Sequence, residues 1–185
     1  MTAFAELCVT TNFSFLRSGS HPEEMVEQAK ALGMSGIGVA DRNTLAGVVR
    51  AHVKAKEEGL RLVVGARLVF RDGTPDLIVY PKDRAAFANL TRLLTTGNLR
   101  APKGECWLDF ADYLVEANGL RTILIPAFAQ GDSPDAIAPC LRQVREAPVL
   151  QANGPVRDAD RPAVAAGPAG DFLVVWEKDA VGLQA

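Results

Sequence analysis

The stretch "SGIGVADRNTLAGVVRAHVKAKEEGLRLVVGARLVF", residues 35–70, decides the fold. "SGIGVAD" is short, apolar and ends on Asp41, which reads as a buried strand. "NTLAGVVRAHVKAKEEG" switches to a helical period, with Leu45, Val48, Val49 and Val53 set inward and Gly59 as the stop. Residues 61–70, "RLVVGARLVF", return to a strand rich in Val and Leu. Strand, helix, strand at this spacing is a βαβ unit, the building block of parallel sheets.

The same rhythm extends in both directions. Phe4 to Thr10 reads as a strand, and "SHPEEMVEQAKALG" as a helix with Ser20 and Glu23 at capping-box spacing and Pro22 in the first turn. Its stripe is Met25, Val26, Ala29 and Leu32, and Gly33 closes it in a left-handed conformation. Downstream, the turn "RDGTP" leads into a strand "PDLIVYP", and a helix runs from Asp83 to Leu94 with Phe87, Leu90, Leu93 and Leu94 inward. A further helix around residues 109–118 precedes a strand "RTILIPAF". The expected architecture is an α/β layered or barrel-like domain with parallel strands, whose functional loops gather at the carboxyl ends of the strands. Composition shifts near residue 129, so residues 1–128 form the expected domain. Residues 129–185 are a divergent segment that either completes part of the barrel or is partly disordered, with "FLVVWE" as one added edge strand.

Composition sets the function classes. A chain of 185 residues with 48% hydrophobic and 23% charged residues suits one globular domain. A net charge of -2 gives no global electrostatic footprint for nucleic acid. No basic segment followed by an apolar run opens the chain, and no window of about 18 apolar residues occurs, so a soluble, cytoplasmic protein without membrane partners is expected. Cys8, Cys106 and Cys140 are odd in number and far apart, which fits free thiols in or near the core rather than a disulfide framework or zinc knuckle. Neither His21 nor His52 has a catalytic partner at informative spacing, and no P-loop, GxGxxG fingerprint or Ser-His-Asp order is present.

Chemistry would live at the rim. Its candidates are Cys8 and Thr10 after the first strand, Asp41 and Arg42 after the second, Arg67 after the third and Asp76 at the start of the next. A divalent cluster for phosphoester hydrolysis needs several His, Asp or Glu ligands converging there. Asp41 and Asp76 qualify, Cys8 suits zinc, and Thr10, Arg42 and Arg67 are poor ligands, since a guanidinium repels a dication. The structural readings are preferred: Cys8 as a buried strand thiol, and Asp41 as a helix cap or a partner of Arg42.

"ELCVTTNFSFLRSGSHPEE", then "GVADRNTLAGVVRAHVKAKEEGLRLVVGARLVF", "LIVYPKDRAAFANLTRLL" and "KGECWL" closely resemble the PHP (polymerase and histidinol phosphatase) domain of bacterial C-family DNA polymerases, most of all the error-prone branch. In metal-binding members a His-x-His falls on Cys8 and Thr10, an Asp-His pair on Asp41 and Arg42, a Glu on Arg67 and a further His on Asp76. The resemblance implies a PHP-like α/β fold, an incomplete or distorted βα barrel with parallel strands, with a degenerate metal site. No metal or other cofactor is then expected, and the domain serves a structural or docking role in damage-tolerant (translesion) DNA synthesis. Nucleotidyl transfer would belong to other domains of the parent polymerase. Partners implied are those domains, the replication or mutagenesis proteins they recruit, and DNA through the parent. Two alternatives stay open. One is a metal-dependent phosphoesterase or proofreading exonuclease using Zn or Mn at a site remodelled around Cys8, Asp41 and Asp76; the other is a truncated remnant. Lys82, Arg84, Arg92, Arg100 and Lys103 face Asp83 as the only acid in their segment, and with the donor-rich stretch "TTGNLRAPKG" they are candidates for nucleic-acid or interdomain contact.

Overall fold

The computed structural model describes residues 4–125, 163–166 and 172–175. The elements run β1 (Ala5–Val9), α1 (Pro22–Ala31), β2 (Gly36–Arg42), α2 (Val48–Glu58), β3 (Arg61–Leu68), β4 (Asp76–Pro81), α3 (Arg84–Arg100), α4 (Phe110–Glu116), β5 (Leu120–Ile125), β6 (Ala163–Ala166) and β7 (Phe172–Val175). They build one mixed α/β sheet in the order β1-β2-β3-β4-β5-β7-β6, curled over its first five strands into a half-barrel.

β1, β2 and β3 are parallel, as the βαβ pattern requires, with Asp41 beside Ala66 and Arg42 beside Arg67. β4 runs the other way. The reason lies in the connection: seven residues join β3 to β4, whereas a parallel return needs a crossover of about a dozen or more. β5 follows two helices, is antiparallel to β4 and so regains the direction of β3. In the tail, "FLVVWE" contributes β7, which is not an edge strand: it pairs with β5 on one side and with β6 on the other. Cys140 lies outside the described residues.

The helices cover one sheet face in two clusters. α1 and α2 close over β1 and β2 through Val9, Val26, Ala29, Ile37, Val39, Ala51, Ala55 and Leu60. α3 and α4 close over β3, β4 and β5 through Leu68, Leu77, Val79, Leu90, Leu93, Tyr113 and Leu124, among others. Local details depart from the sequence pattern in three places. In α2 the buried side chains are Ala51 and Ala55, while Val49 and Val53 are 71% and 52% exposed. Small residues face the neighbouring helix because close backbone approach buries more surface than bulk at that spacing, and Lys54 ties the pair together through Glu27 at 2.7 Å. In α1 the capping acid is Glu24, accepting from the His21 N–H at 2.7 Å, one residue later than the Ser20 and Glu23 spacing suggested. Leu32 sits at the C-cap, exposed, while Gly33 adopts the expected left-handed φ of 69°.

The third departure is α3, which runs to Arg100 rather than stopping at Leu94, so "TTGNLR" is helical and not a loop. Gly97 is costly in a helix interior. It is fixed there by packing, because a Cβ at this position would stand 2.6 Å from Cys106 Sγ and 2.7 Å from Leu108. No helix among the described residues is long and apolar enough to cross a membrane.

Candidate functional site

Asp41, the penultimate residue of β2, has 1% exposure, a carboxylate in a place where an unpaired charge would be prohibitive. Its Oδ1 accepts from the Thr11 backbone N–H and the Ser14 hydroxyl, and its Oδ2 from the Thr11 hydroxyl, each at 2.7 Å. Ser14 Oγ in turn accepts from the Arg42 N–H at 2.9 Å. Asp41 is therefore the anchor of the loop after β1. It neither caps α2, whose N-cap is Gly47, nor forms an ion pair with Arg42 among the described residues. The loop is also held at its far end, where the Asn12 N–H donates to Ser20 O and Asn12 Nδ2 approaches His21 Nδ1 at 3.1 Å.

The inner sheet face carries the remaining positions. Arg67 Nε donates to Asp76 Oδ2 at 2.7 Å, an ion pair across the β3–β4 hairpin. Beneath it Tyr80 lies across the sheet, with Gly38 and Gly65 leaving the space that its ring fills. A Cβ on Gly65 would collide with the Val79 carbonyl and the Tyr80 ring, and one on Gly38 would stand 2.6 Å from the Tyr80 hydroxyl. That hydroxyl donates to Leu7 O on β1. Burial, then the negative charge around Cys8 and Glu6, pushes the Tyr80 phenol well above its usual range, so it stays a neutral donor.

Cys8 is exposed, not a buried strand thiol. Its N–H leaves the strand ladder at the irregularity between Glu6 and Val9 and is satisfied by Glu6 Oε1 at 2.8 Å. Partial desolvation and then Glu6 raise the thiol pKa, against a smaller opposing pull from Arg67. The Cys106 thiol, packed against α3, is pushed up to about 11 by burial. Neither is an activated nucleophile.

The residues present do not fit a di- or trinuclear metal cluster. Both oxygens of Asp41 are engaged by protein donors, a guanidinium occupies Asp76, and Thr10 offers one neutral oxygen. Among the described residues no group of three or more His, Cys, Asp or Glu could hold a metal ion. The sequence pattern picked out Asp41 and Asp76 but not the groups that engage them. Thr11 and Ser14 were legible only as two hydroxyls following a strand. The Arg67–Asp76 pair was legible only by placing opposite charges across the turn "RDGTP".

The five basic residues do not form one patch. α3 spans about 25 Å at 1.5 Å per residue, with Lys82 and Arg84 at one end and Arg100 and Lys103 at the other. Arg92 donates to Glu116, and Arg100 donates to Asp112 at 2.8 and 2.9 Å, so two of the five are paired to α4.

The family described as PHP domain matches residues 6–136. The error-prone DNA polymerase of Rhodopseudomonas palustris (strain BisB5) is 55% identical over 130 residues, covering 68% of this chain and 12% of that protein. The error-prone DNA polymerase of Brucella abortus biovar 1 (strain 9-941) is 51% identical over 153 residues, covering 80% of this chain and 14% of that protein. This chain thus spans a small fraction of the length of these relatives. Among solved structures, one described as a metal-dependent phosphoesterase from Bifidobacterium adolescentis is 25% identical, with a TM-score of 0.45 over 54% of this chain and 34% of that one.

Proposed function

The chain belongs to the PHP domain family, and on that footing we propose that it is a non-catalytic PHP module of an error-prone DNA polymerase used in damage-tolerant synthesis. It buttresses the polymerase and docks its replication or mutagenesis partners. It performs no phosphoester chemistry of its own, and nucleotidyl transfer belongs to polymerase domains beyond its span. The observation that carries this reading is the Arg67–Asp76 ion pair at two positions where, by family resemblance, Glu and His would bind metal. A fixed guanidinium supplies the positive charge there and repels a dication. The hydrolase alternative needs Asp76 to leave Arg67 and Asp41 to shed three donors, each step exposing unpaired polar groups.

The test is elemental analysis of the chain after supply of zinc and manganese and then dialysis, alongside a phosphodiesterase assay. Metal well below one ion per chain and no turnover are expected. A variant combining Cys8→His, Thr10→His, Arg42→His, Arg67→Glu and Asp76→His should retain metal. An ion held stoichiometrically by the unaltered chain and lost in Asp41→Ala would overturn the proposal.

A further inference from the structure

The helix layer has a gap above β3. α2 packs on α1 and β3, whereas α3 packs on α4, β4 and β5, and the core on this sheet face splits accordingly into two clusters. Along β3, Leu62 packs against the α1–α2 cluster, while Ala66 and Leu68 belong to the α3–α4 cluster. Val64 shares their face by alternation, belongs to neither cluster and is only half-buried. It floors a seam walled by the half-buried Val48 on α2 and by Phe87, 37% exposed, on α3. Phe87 lies on the flank of α3 opposite Asn89, Arg92 and Arg100, which are held by α4 and the turn after it. Thr91 and Thr95, on the flank of Phe87, line one groove with Leu45 and Ala46, so this flank faces α2. Leu45, just ahead of α2, packs on the α3–α4 cluster and closes the seam at the strand carboxyl ends.

The opposite end of the seam is positively charged. Lys56 on α2, Arg61 at the start of β3 and Arg84 at the start of α3 are exposed there, and none of the three takes part in an ion pair among the described residues. The acids close to them in sequence are engaged or turned away. Glu58 pairs with Lys54 at 3.0 Å, Asp83 accepts from the Ala86 N–H at 2.8 Å, and Glu57 lies on the α1 flank of α2 with Arg50 and Lys54. Three cations from three elements thus gather at one mouth without an acid between them.

We propose that this seam docks an amphipathic helix of a separate protein, its apolar stripe on Val48, Val64 and Phe87 and acidic residues at one end over Lys56, Arg61 and Arg84. The inference rests on the docking role proposed above and gives it a surface and a partner chemistry. An added strand would find no free backbone here, because β3 is paired with β2 along one edge and with β4 along the other. A helix satisfies its own backbone, and one apolar stripe suits a seam that is open to water on its outer side. Nucleic acid would use the cations and leave the apolar floor unfilled.

The test is selection from a phage-displayed library of random peptides of about 16 residues, just over four helical turns, on the full chain. Selected peptides should space apolar residues at i, i+3, i+4 and i+7 and carry acids at one end. Made synthetically, labelled with fluorescein and read by anisotropy, they should bind Lys56→Glu/Arg84→Glu at least tenfold more weakly and Phe87→Ala several-fold more weakly. Arg71→Glu/Lys103→Glu, at the strand carboxyl ends, should stay within twofold. Neutral Lys56→Gln/Arg84→Gln is the second variant should charge reversal perturb folding. No selected peptide, selected peptides without acids, equal loss in the two charge-reversed variants, full binding to Phe87→Ala, or displacement by single-stranded oligo-dT at matched charge would each overturn the proposal. Metal retention by the unaltered chain would instead strike at the non-catalytic reading and leave the mapped surface standing.

Discussion

On the helix-covered face of the sheet, Leu68, Leu77, Val79 and Leu124 meet Leu90, Leu93 and Tyr113 with almost no residual exposure. On the opposite face, Ala40, Ile78, Tyr80 and Ile123 form a smaller cluster, and the strand ends above it carry Arg67 and Asp76. One face is a close-packed core in which volume matters most; the other is a shallow platform in which charge and hydrogen bonding decide. Alternation along each strand keeps the two apart: in β4, Leu77 and Val79 point one way, Asp76, Ile78 and Tyr80 the other. The difference teaches that, Asp41 apart, the rim positions can change with little consequence for the core, because the side chains that fill the core are not those at the strand ends.

The separation can be broken first where it should be strongest. Leu90→Ala, at a fully buried position under β4, should cost about 4 kcal/mol of unfolding free energy in urea titration. A loss under about 1 kcal/mol would show that α3 is not part of the main core. Next comes Asp41, which belongs to the rim but is as buried as the core. Asp41→Ala should cost about 3 kcal/mol, since it strands the Thr11 N–H and two hydroxyls, while Asp41→Asn should cost about 1 kcal/mol because the amide can replace the acceptor and donate to Thr11 Oγ1. Equal losses in the two variants would mean that the charge, not the hydrogen-bond geometry, holds the loop.

The smallest effect is at the surface of α3. Arg100 donates to Asp112 and holds its carboxyl below the usual carboxylate range, so the pair stabilises the fold above the unfolded value of about 3.9 and the contribution disappears as pH falls through the lowered folded value. Arg100→Gln should therefore lower the urea midpoint slightly at pH 7 and leave it unchanged at pH below the lowered folded value, with the difference shrinking in high salt. A difference that persists in acid would assign it to packing of the arginine stem.

Much of the fold was legible because periodicity is a local property. Residues 35–70 declare strand, helix and strand by themselves, and Gly33 and Gly59 mark helix ends that the backbone then takes up at φ 69° and 63°. Misreadings fell where a neighbour decides. Val49 and Val53 carry a helical pattern, but the face of α2 that meets α1 is the one bearing Ala51 and Ala55. Gly97 signals a stop to any local rule, yet the helix continues because Cys106 and Leu108 occupy the space a side chain would need.

The amino-acid sequence by itself determined the alternation of elements, the family, and which residue types stand at Cys8, Thr10, Arg42 and Arg67, since residue identity and spacing need no partner to be read. Only the tertiary structure decided what the remaining carboxylates do: Asp41 is saturated by a loop thirty residues away, and Asp76 by an arginine across a hairpin. It also brought Arg71 and Trp107 together, a pair separated by 36 residues. Hydrogen bonds and ion pairs act over about 3 Å, and which groups come within that distance is fixed by sheet register and loop closure rather than by the order of residues along the chain.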